Sequence, residues 1–91
     1  MITRQRLWRL RNCVPIDQVL VEMQLPVKRS EGYLRFLCPL CREFNTATNP
    51  RTNLARCFRC KKNFNPIDLV MLVEKRSFLE AVQHLEPLLH D

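Results

Sequence analysis

The sequence predicts an α+β fold: a small antiparallel β-sheet stapled by a metal and flanked by N-terminal and C-terminal helices. Three observations predict it. Cys38-Pro39-Leu40-Cys41 and Cys57-Phe58-Arg59-Cys60 are two Cys-x-x-Cys pairs, with 15 residues between Cys41 and Cys57. Short segments of strand character, broken by turn residues, lead into each pair. Apolar residues at helical spacing occupy both ends of the chain.

Two cysteines three positions apart in a tight turn aim both sulfurs at one point. Two such turns make a tetrahedral thiolate cage for one Zn²⁺, with Zn–S near ~2.3 Å. The expected ligands are Cys38, Cys41, Cys57 and Cys60. Sulfur fills all four positions and leaves no place for water, so the zinc is structural and not hydrolytic. A disulfide framework fits poorly with five cysteines and an Arg-rich amino terminus without an apolar segment. A redox dithiol lacks its βαβ surroundings. Reduced cysteines and the lack of an export signal lead us to expect a cytoplasmic protein. No stretch is long and apolar enough to span a membrane.

At 91 residues the chain is expected to form one small domain that needs a staple, with a basic arm or helix over residues 1–12 and a ribbon domain over 13–91. Net charge is +6, and its distribution is uneven. Residues 1–12 hold four arginines and no acid, whereas residues 66–91 are acidic. A zinc held by four thiolates carries about −2 itself, so part of the nearby basic charge neutralises the metal site. The surplus points to nucleic acid as the partner class.

The first twelve residues place Leu7 and Leu10 in helical register with Val14. Trp8 stands among Arg4, Arg6, Arg9 and Arg11. This segment reads equally as a solvated helix with Trp8 packed on the domain, a disordered tail, or a phosphate-gripping arm. Cys13 reads as a small packing residue. Pro15 opens a second helix with an apolar stripe of Ile16, Val19, Leu20 and Met23. Asp17 suits its first turn, and Pro26 ends it.

Residues 27–29 and 33–37 read as a hairpin around Ser30-Glu31-Gly32, the chain's single glycine serving a turn that needs positive φ. Residues 44–48 and 54–58 read as two more strands joined by the turn-rich 49–53 segment. Hairpins feeding metal knuckles in this way make a zinc ribbon. Asn65 is a good N-cap, with Pro66 and Asp68 in the first turn of a third helix that is apolar nearly all round. Ser77 and Glu80 form a capping box for a fourth, with Phe78, Ala81, Val82 and Leu85 behind it. Pro87 bends or ends that helix.

Residues 38–72 carry a family resemblance. A Cys-Pro-x-ligand knuckle, a hairpin, a Cys-Phe-x-Cys knuckle and a short loop into an Ile-Asp-Leu-Val-Met helix resemble the zinc-binding domain (CHC2-type zinc ribbon) of bacterial and phage DNA primases. The helix at 16–23, the hairpin at 27–37 and the helix around 78–82 extend the resemblance over roughly residues 14–86. Three departures stand out. The family's usual second ligand is histidine, and here it is Cys41. The family's glycines around the second knuckle are replaced by Arg59, Lys61, Lys62 and Asn63. The primase polymerase core, with its acidic metal-binding residues, is absent, and Asp17, Glu22, Asp68, Glu74, Glu80 and Glu86 lie scattered at solvent-face spacing.

The resemblance implies a free-standing module that binds single-stranded DNA template as an accessory in replication, priming or a mobile element, not an enzyme. The residues support that separately. A sheet face with Tyr33, Arg35, Arg56 and Phe58 offers π surfaces for bases and cations for phosphates. Lys28, Arg29, Arg51, Arg59, Lys61 and Lys62 are expected along the backbone's route. Core packing is the plain alternative for Tyr33 and Phe58, and solubility or charge neutralisation for the cations. The competing function is a ribbon that docks on a polymerase, helicase or transposition protein through the apolar helix at 66–73, as a monomer or weak dimer. Catalysis has little support: His84 and His90 are isolated, and no nucleophile–base order or phosphate loop is present.

Overall fold

The computed structural model describes residues 2–89. Four α-helices accompany a five-stranded antiparallel sheet whose spatial order follows the chain, β1-β2-β3-β4-β5. Helix α1 (Arg4–Asn12) starts at Thr3, whose hydroxyl accepts from the Arg6 N–H at 3.1 Å. It is a packed helix, not a loose tail. Leu10 is fully buried, and the Arg6 guanidinium holds the Glu86 carboxylate at the far end of the chain. Trp8 stays 56% exposed. Cys13 is also exposed, against expectation, because the buried position at this corner goes to its neighbour Val14.

Helix α2 (Ile16–Glu22) buries Ile16, Val19 and Leu20. It ends before Pro26, because Gln24 takes a left-handed turn at φ 59°. Strands β1 (Val27–Ser30) and β2 (Tyr33–Phe36) meet in a two-residue turn with Glu31 at φ 35° and Gly32 at φ 87°. Positive φ at both central residues matches the turn to the strands' right-handed twist. Leu34 and Phe36 face inward, Tyr33 and Arg35 outward.

Strand β3 (Thr46–Asn49) starts two residues later than expected, and Phe44 is 41% exposed. Its pairing with β2 covers only Arg35↔Ala47 and Phe36↔Thr46. Where the two strands part, the Leu34 N–H donates to Thr48 Oγ1 at 2.9 Å, so no buried amide is left unpaired. Strand β4 (Leu54–Cys57) pairs with β3 and with an unexpected fifth strand, β5 (Lys62–Phe64). The second cysteine knuckle is the hairpin turn between β4 and β5. Lys-Asn-Phe has little strand propensity of its own. Its pairing follows from that turn and from burial of Phe64 opposite Ala55.

Helix α3 (Pro66–Val73) and helix α4 (Phe78–Leu85) each start with a reciprocal capping box, Asn65 with Asp68 and Ser77 with Glu80. A 3₁₀ turn (Glu86–Leu88) at Pro87 closes the described chain, and His90 lies outside it. The apolar surface of α3 is divided between two cores. Leu69 packs under the sheet with Ile16, Leu20, Phe36 and the knuckle cysteines. Ile67 and Val70 pack among Leu10, Val19, Val82 and Leu85. Helix α4 buries Ala81, Val82 and Leu85, whereas Phe78 is 41% exposed on the solvated first turn beside Ser77 and Glu80. His84 is not isolated: its Nε2 lies 2.7 Å from Glu22 Oε2, tying α4 to α2.

One polar side chain joins the helical layer to the sheet. Asn53 closes the β3–β4 turn in the left-handed region at φ 57° and is only 7% exposed. Its Oδ1 accepts from the Ile16 N–H, and its Nδ2 donates to the carbonyls of Arg11 and Val14, all at 2.8 Å. Helix α2 has Pro15 at its N-cap and no cap from its own side chains, so Asn53 serves as its cap from across the fold. Asn53→Ala removes the partner of three backbone groups, two of them buried, and is expected to cost about 3 kcal/mol in unfolding of the zinc-loaded protein. Asn49→Ala, which removes an exposed turn bond to the Arg51 N–H, should cost under about 1 kcal/mol. Chemical denaturation of the two variants compares them directly, and equal losses would remove Asn53 from this role.

Candidate metal centre and the sheet face beside it

The two knuckles share one backbone plan. After β2, the Cys38 carbonyl accepts from the Arg42 N–H at 3.0 Å, and Cys38 Sγ accepts from the Leu40 and Cys41 amides at 3.4 and 3.5 Å. After β4, the Cys57 carbonyl accepts from the Lys61 N–H at 2.8 Å, and Cys57 Sγ accepts from the Cys60 amide at 3.3 Å. Arg42 at φ 60° and Lys61 at φ 57° occupy the same left-handed position four residues after the leading cysteine. Glycine meets that requirement without strain. These side chains meet it at a cost of about 1–2 kcal/mol each.

The four sulfurs lie within 4.8 Å of one another. Cys38 and Cys60 sulfurs are 3.9 Å apart, and Cys41 and Cys57 sulfurs 3.6 Å. A disulfide needs ~2.05 Å. A tetrahedron with Zn–S of ~2.3 Å has edges of ~3.8 Å, which these two separations match.

The protonation of these thiols shows why a cation belongs among them. At Cys57, burial opposes ionisation, but the Cys60 amide and the neighbouring Cys38, Thr46 and Cys41 side chains, which favour the thiolate, outweigh it and pull the thiol down to about 6. At Cys38, burial is likewise outweighed by the Cys41 and Leu40 amides, and the thiol lies below its ordinary range. At Cys41 the Glu43 amide favours the thiolate, but burial and the Cys57 and Cys38 sulfurs hold the thiol above its ordinary value. Burial and the surrounding sulfurs push Cys60 up to about 12. Without a metal the pocket therefore ionises only in part. Thr46, fully buried and paired with Cys57 in the β3–β4 register, has a hydroxyl with no hydrogen-bond partner of full geometry. A thiolate at Cys57 gives it an acceptor. Geometry, charge and this orphaned hydroxyl all fit one Zn²⁺ bound by four thiolates.

On the outer face of the sheet, one row of cross-strand partners runs over all five strands: Lys28↔Arg35↔Ala47↔Arg56↔Asn63. Directly opposed residues share a face. Lys28, Arg35 and Arg56 thus stand together, with the small Ala47 between the two arginines. A shallow groove of about 1020 Å³ lies over Arg35, Ala47, Arg56 and Asn63 of this row, and Tyr33, Arg51 and Phe58 also line it, whereas Lys28 does not. Tyr33 is half-buried and Phe58 is 63% exposed, so Phe58 is not a core residue. Arg35 also donates to the Phe44 carbonyl at 3.3 Å.

Other expected contacts lie elsewhere. Arg29 pairs with Leu34 and Lys62 with Cys57, which puts both on the opposite face at the sheet's edges. Arg59 is held by Glu43 across the two knuckles at 2.8 Å, and Lys61 stands at the knuckle corner. Asn63 joins the groove only because β5 forms, so it was not legible as a site residue.

A family profile described as the CHC2 zinc finger matches residues 2–90. The chain belongs to this family. It is 32% identical over 78 residues to a DNA primase of Streptomyces coelicolor, covering 84% of this chain and 12% of that protein. Its fold is similar to the crystal structure of the Aquifex aeolicus primase, described as zinc-binding and RNA polymerase domains. That match has a TM-score of 0.74 at 24% identity and covers 96% of this chain and 21% of that one. The chain thus spans a small part of either relative. Within this CHC2 zinc finger the second ligand is Cys41, which keeps the tetrahedron and adds one negative charge.

Zinc affinity should rise with pH through the neutral range, because the Cys41 and Cys60 thiols lose their protons on binding. Below about pH 6 the Cys57 proton joins them, and the slope should steepen. Chelator-competition titrations across pH measure this, and a flat profile would contradict it. Lys61→Gly should stabilise the zinc-loaded protein by about 0.5–1 kcal/mol, the left-handed strain less the entropy glycine adds to the unfolded chain. Denaturation curves at equal zinc content check the sign.

Proposed function

We propose that this CHC2 zinc finger is a template-binding module that holds single-stranded DNA on the outer face of its sheet and supports priming by a catalytic unit outside these 91 residues. The observation that carries the proposal is the Arg35–Ala47–Arg56–Asn63 row beneath a groove flanked by Tyr33 and Phe58, with Lys28 extending the row at the sheet's edge. The DNA primase relative supports it.

The chemistry is that of a strand, not of a duplex. A single strand presents unstacked bases as well as phosphates. Tyr33 and Phe58 offer ring faces, and stacking is worth about 1–3 kcal/mol per base without selecting its identity. Arg35, Arg56 and Arg51 sit where phosphates on either side of a stacked base would lie. The zinc stays behind the sheet as a staple. It orders the β4–β5 turn and hence the register that puts Arg56 opposite Asn63. The role is binding, in a reducing cytoplasm where the four thiols persist as metal ligands, as a replication or mobile-element factor.

A second reading, docking on a replication or transposition protein, draws on a separate cleft of about 380 Å³. Leu37, Phe44 and Leu72 line it and are 38–47% exposed, with Arg42 and Lys75 at its sides.

Single-strand binding, followed by anisotropy of labelled oligonucleotides, should weaken steeply with salt. Arg35→Ala and Arg56→Ala should each reduce the log–log salt slope by about 0.7. Tyr33→Ala should cost about 1–3 kcal/mol with the slope unchanged. Zinc content should stay stoichiometric in all three. If all three bind as the parent does, this face is rejected. Salt-insensitive, weak binding with a protein complex on size analysis would favour the docking reading.

A further inference from the structure

Helix α1 carries a feature that the groove does not use. Arg4, Trp8 and Arg11, spaced four and then three residues apart, fall on one face of a helix with 3.6 residues per turn. All three are exposed, and Trp8 is 56% exposed. The opposite side is committed to the fold, with Leu10 buried and Arg6 holding Glu86. The helix contains no acidic residue. A large aromatic ring more than half exposed between two arginines is available to a ligand.

The position of this face relative to the groove is set by Asn53. Its Nδ2 donates to the Arg11 carbonyl at 2.8 Å. Asn53 closes the same turn whose Pro50, Arg51 and Thr52 line the end of the groove. The carboxyl end of α1 therefore lies against the turn that forms that end of the groove. Arg11 is in the last turn of α1, and Trp8 and Arg4 follow at one and two turns further along the same helix face. From Arg4 to Arg11 the helix rises about 10 Å, enough to engage further phosphates.

We propose that the α1 face of Arg4, Trp8 and Arg11 is a second subsite for the same single strand, continuing the sheet groove, with Trp8 stacking on a base and the arginines on its flanking phosphates. The inference rests on the single-strand reading above and adds a site, so the two can fail separately. Charge complementarity commits the face to a polyanion, and the ring selects one with unstacked bases.

Trp8 is the only tryptophan in the chain, so its fluorescence reports this face alone. The zinc-loaded protein is titrated with oligothymidylates from about 4 to about 16 nucleotides, the span that single-strand modules occupy. Short oligomers should bind by anisotropy and leave Trp8 emission unchanged. Longer ones should quench it and bind more tightly. Trp8→Ala should weaken long oligomers about tenfold and leave short ones unaffected, with Trp8→Phe restoring most of the loss. Arg4→Ala and Arg11→Ala should each lower the salt slope by about 0.7 for long oligomers only.

If binding depends on Arg35 and Arg56 while Trp8 emission stays constant at every length, the second subsite is overturned and the sheet reading stands. If Trp8→Ala weakens all lengths equally, α1 is not a continuation of the groove, and the inference fails. If no oligomer binds at all, both readings fall together.

Discussion

Four thiols packed within 4.8 Å cannot all ionise by themselves, and the fold depends on how that conflict is resolved. Each sulfur that gives up its proton makes the next harder to ionise, which is why Cys57 and Cys60 lie on opposite sides of the ordinary thiol value. A divalent cation removes the conflict and joins the end of β2 to the turn between β4 and β5. In a domain this small, such a joint replaces core that the chain is too short to build. The sheet's outer edge is downstream of it, since β5 has three residues and little propensity of its own.

The second joint is made of neutral hydrogen bonds. Asn53 satisfies three backbone groups where two helices meet, and it does so from the tip of a β-hairpin. Its left-handed backbone is well suited to asparagine, so conformation and side-chain chemistry agree at one position. Together with the divided apolar face of α3, this contact holds the helical layer against the sheet. The outer face is left clear, with only short or long polar side chains, one small alanine and two aromatic rings.

Charge follows the same division. The metal cage is anionic, and Arg42, Lys61 and Lys62 stand around the knuckles, while Arg59 is engaged by Glu43. The arginines of the groove, Arg35, Arg51 and Arg56, are separate from that set. Net charge alone overstates the binding capacity of such a protein. What matters is which cations share a face, and strand register decides that, since a shift of one residue moves a side chain to the other side.

Local chemistry was enough for much of this. Cysteine spacing specified the metal and its ligands, because a knuckle is closed by residues a few positions apart. Capping boxes at Asn65 and Ser77, the Glu31-Gly32 turn and the inward positions of β2 were legible for the same reason: each interaction lies within a few residues of chain. The rest depended on partners distant in sequence. Lys62-Asn63-Phe64 becomes a strand only against β4. Arg29 and Lys62 leave the groove because of cross-strand pairing. Cys13 and Phe78 lose their expected burial to Val14 and to the solvated start of α4. Asn53 becomes a cap through contacts about forty residues away. A linear pattern records what a residue is able to do; packing across the whole domain decides what it meets.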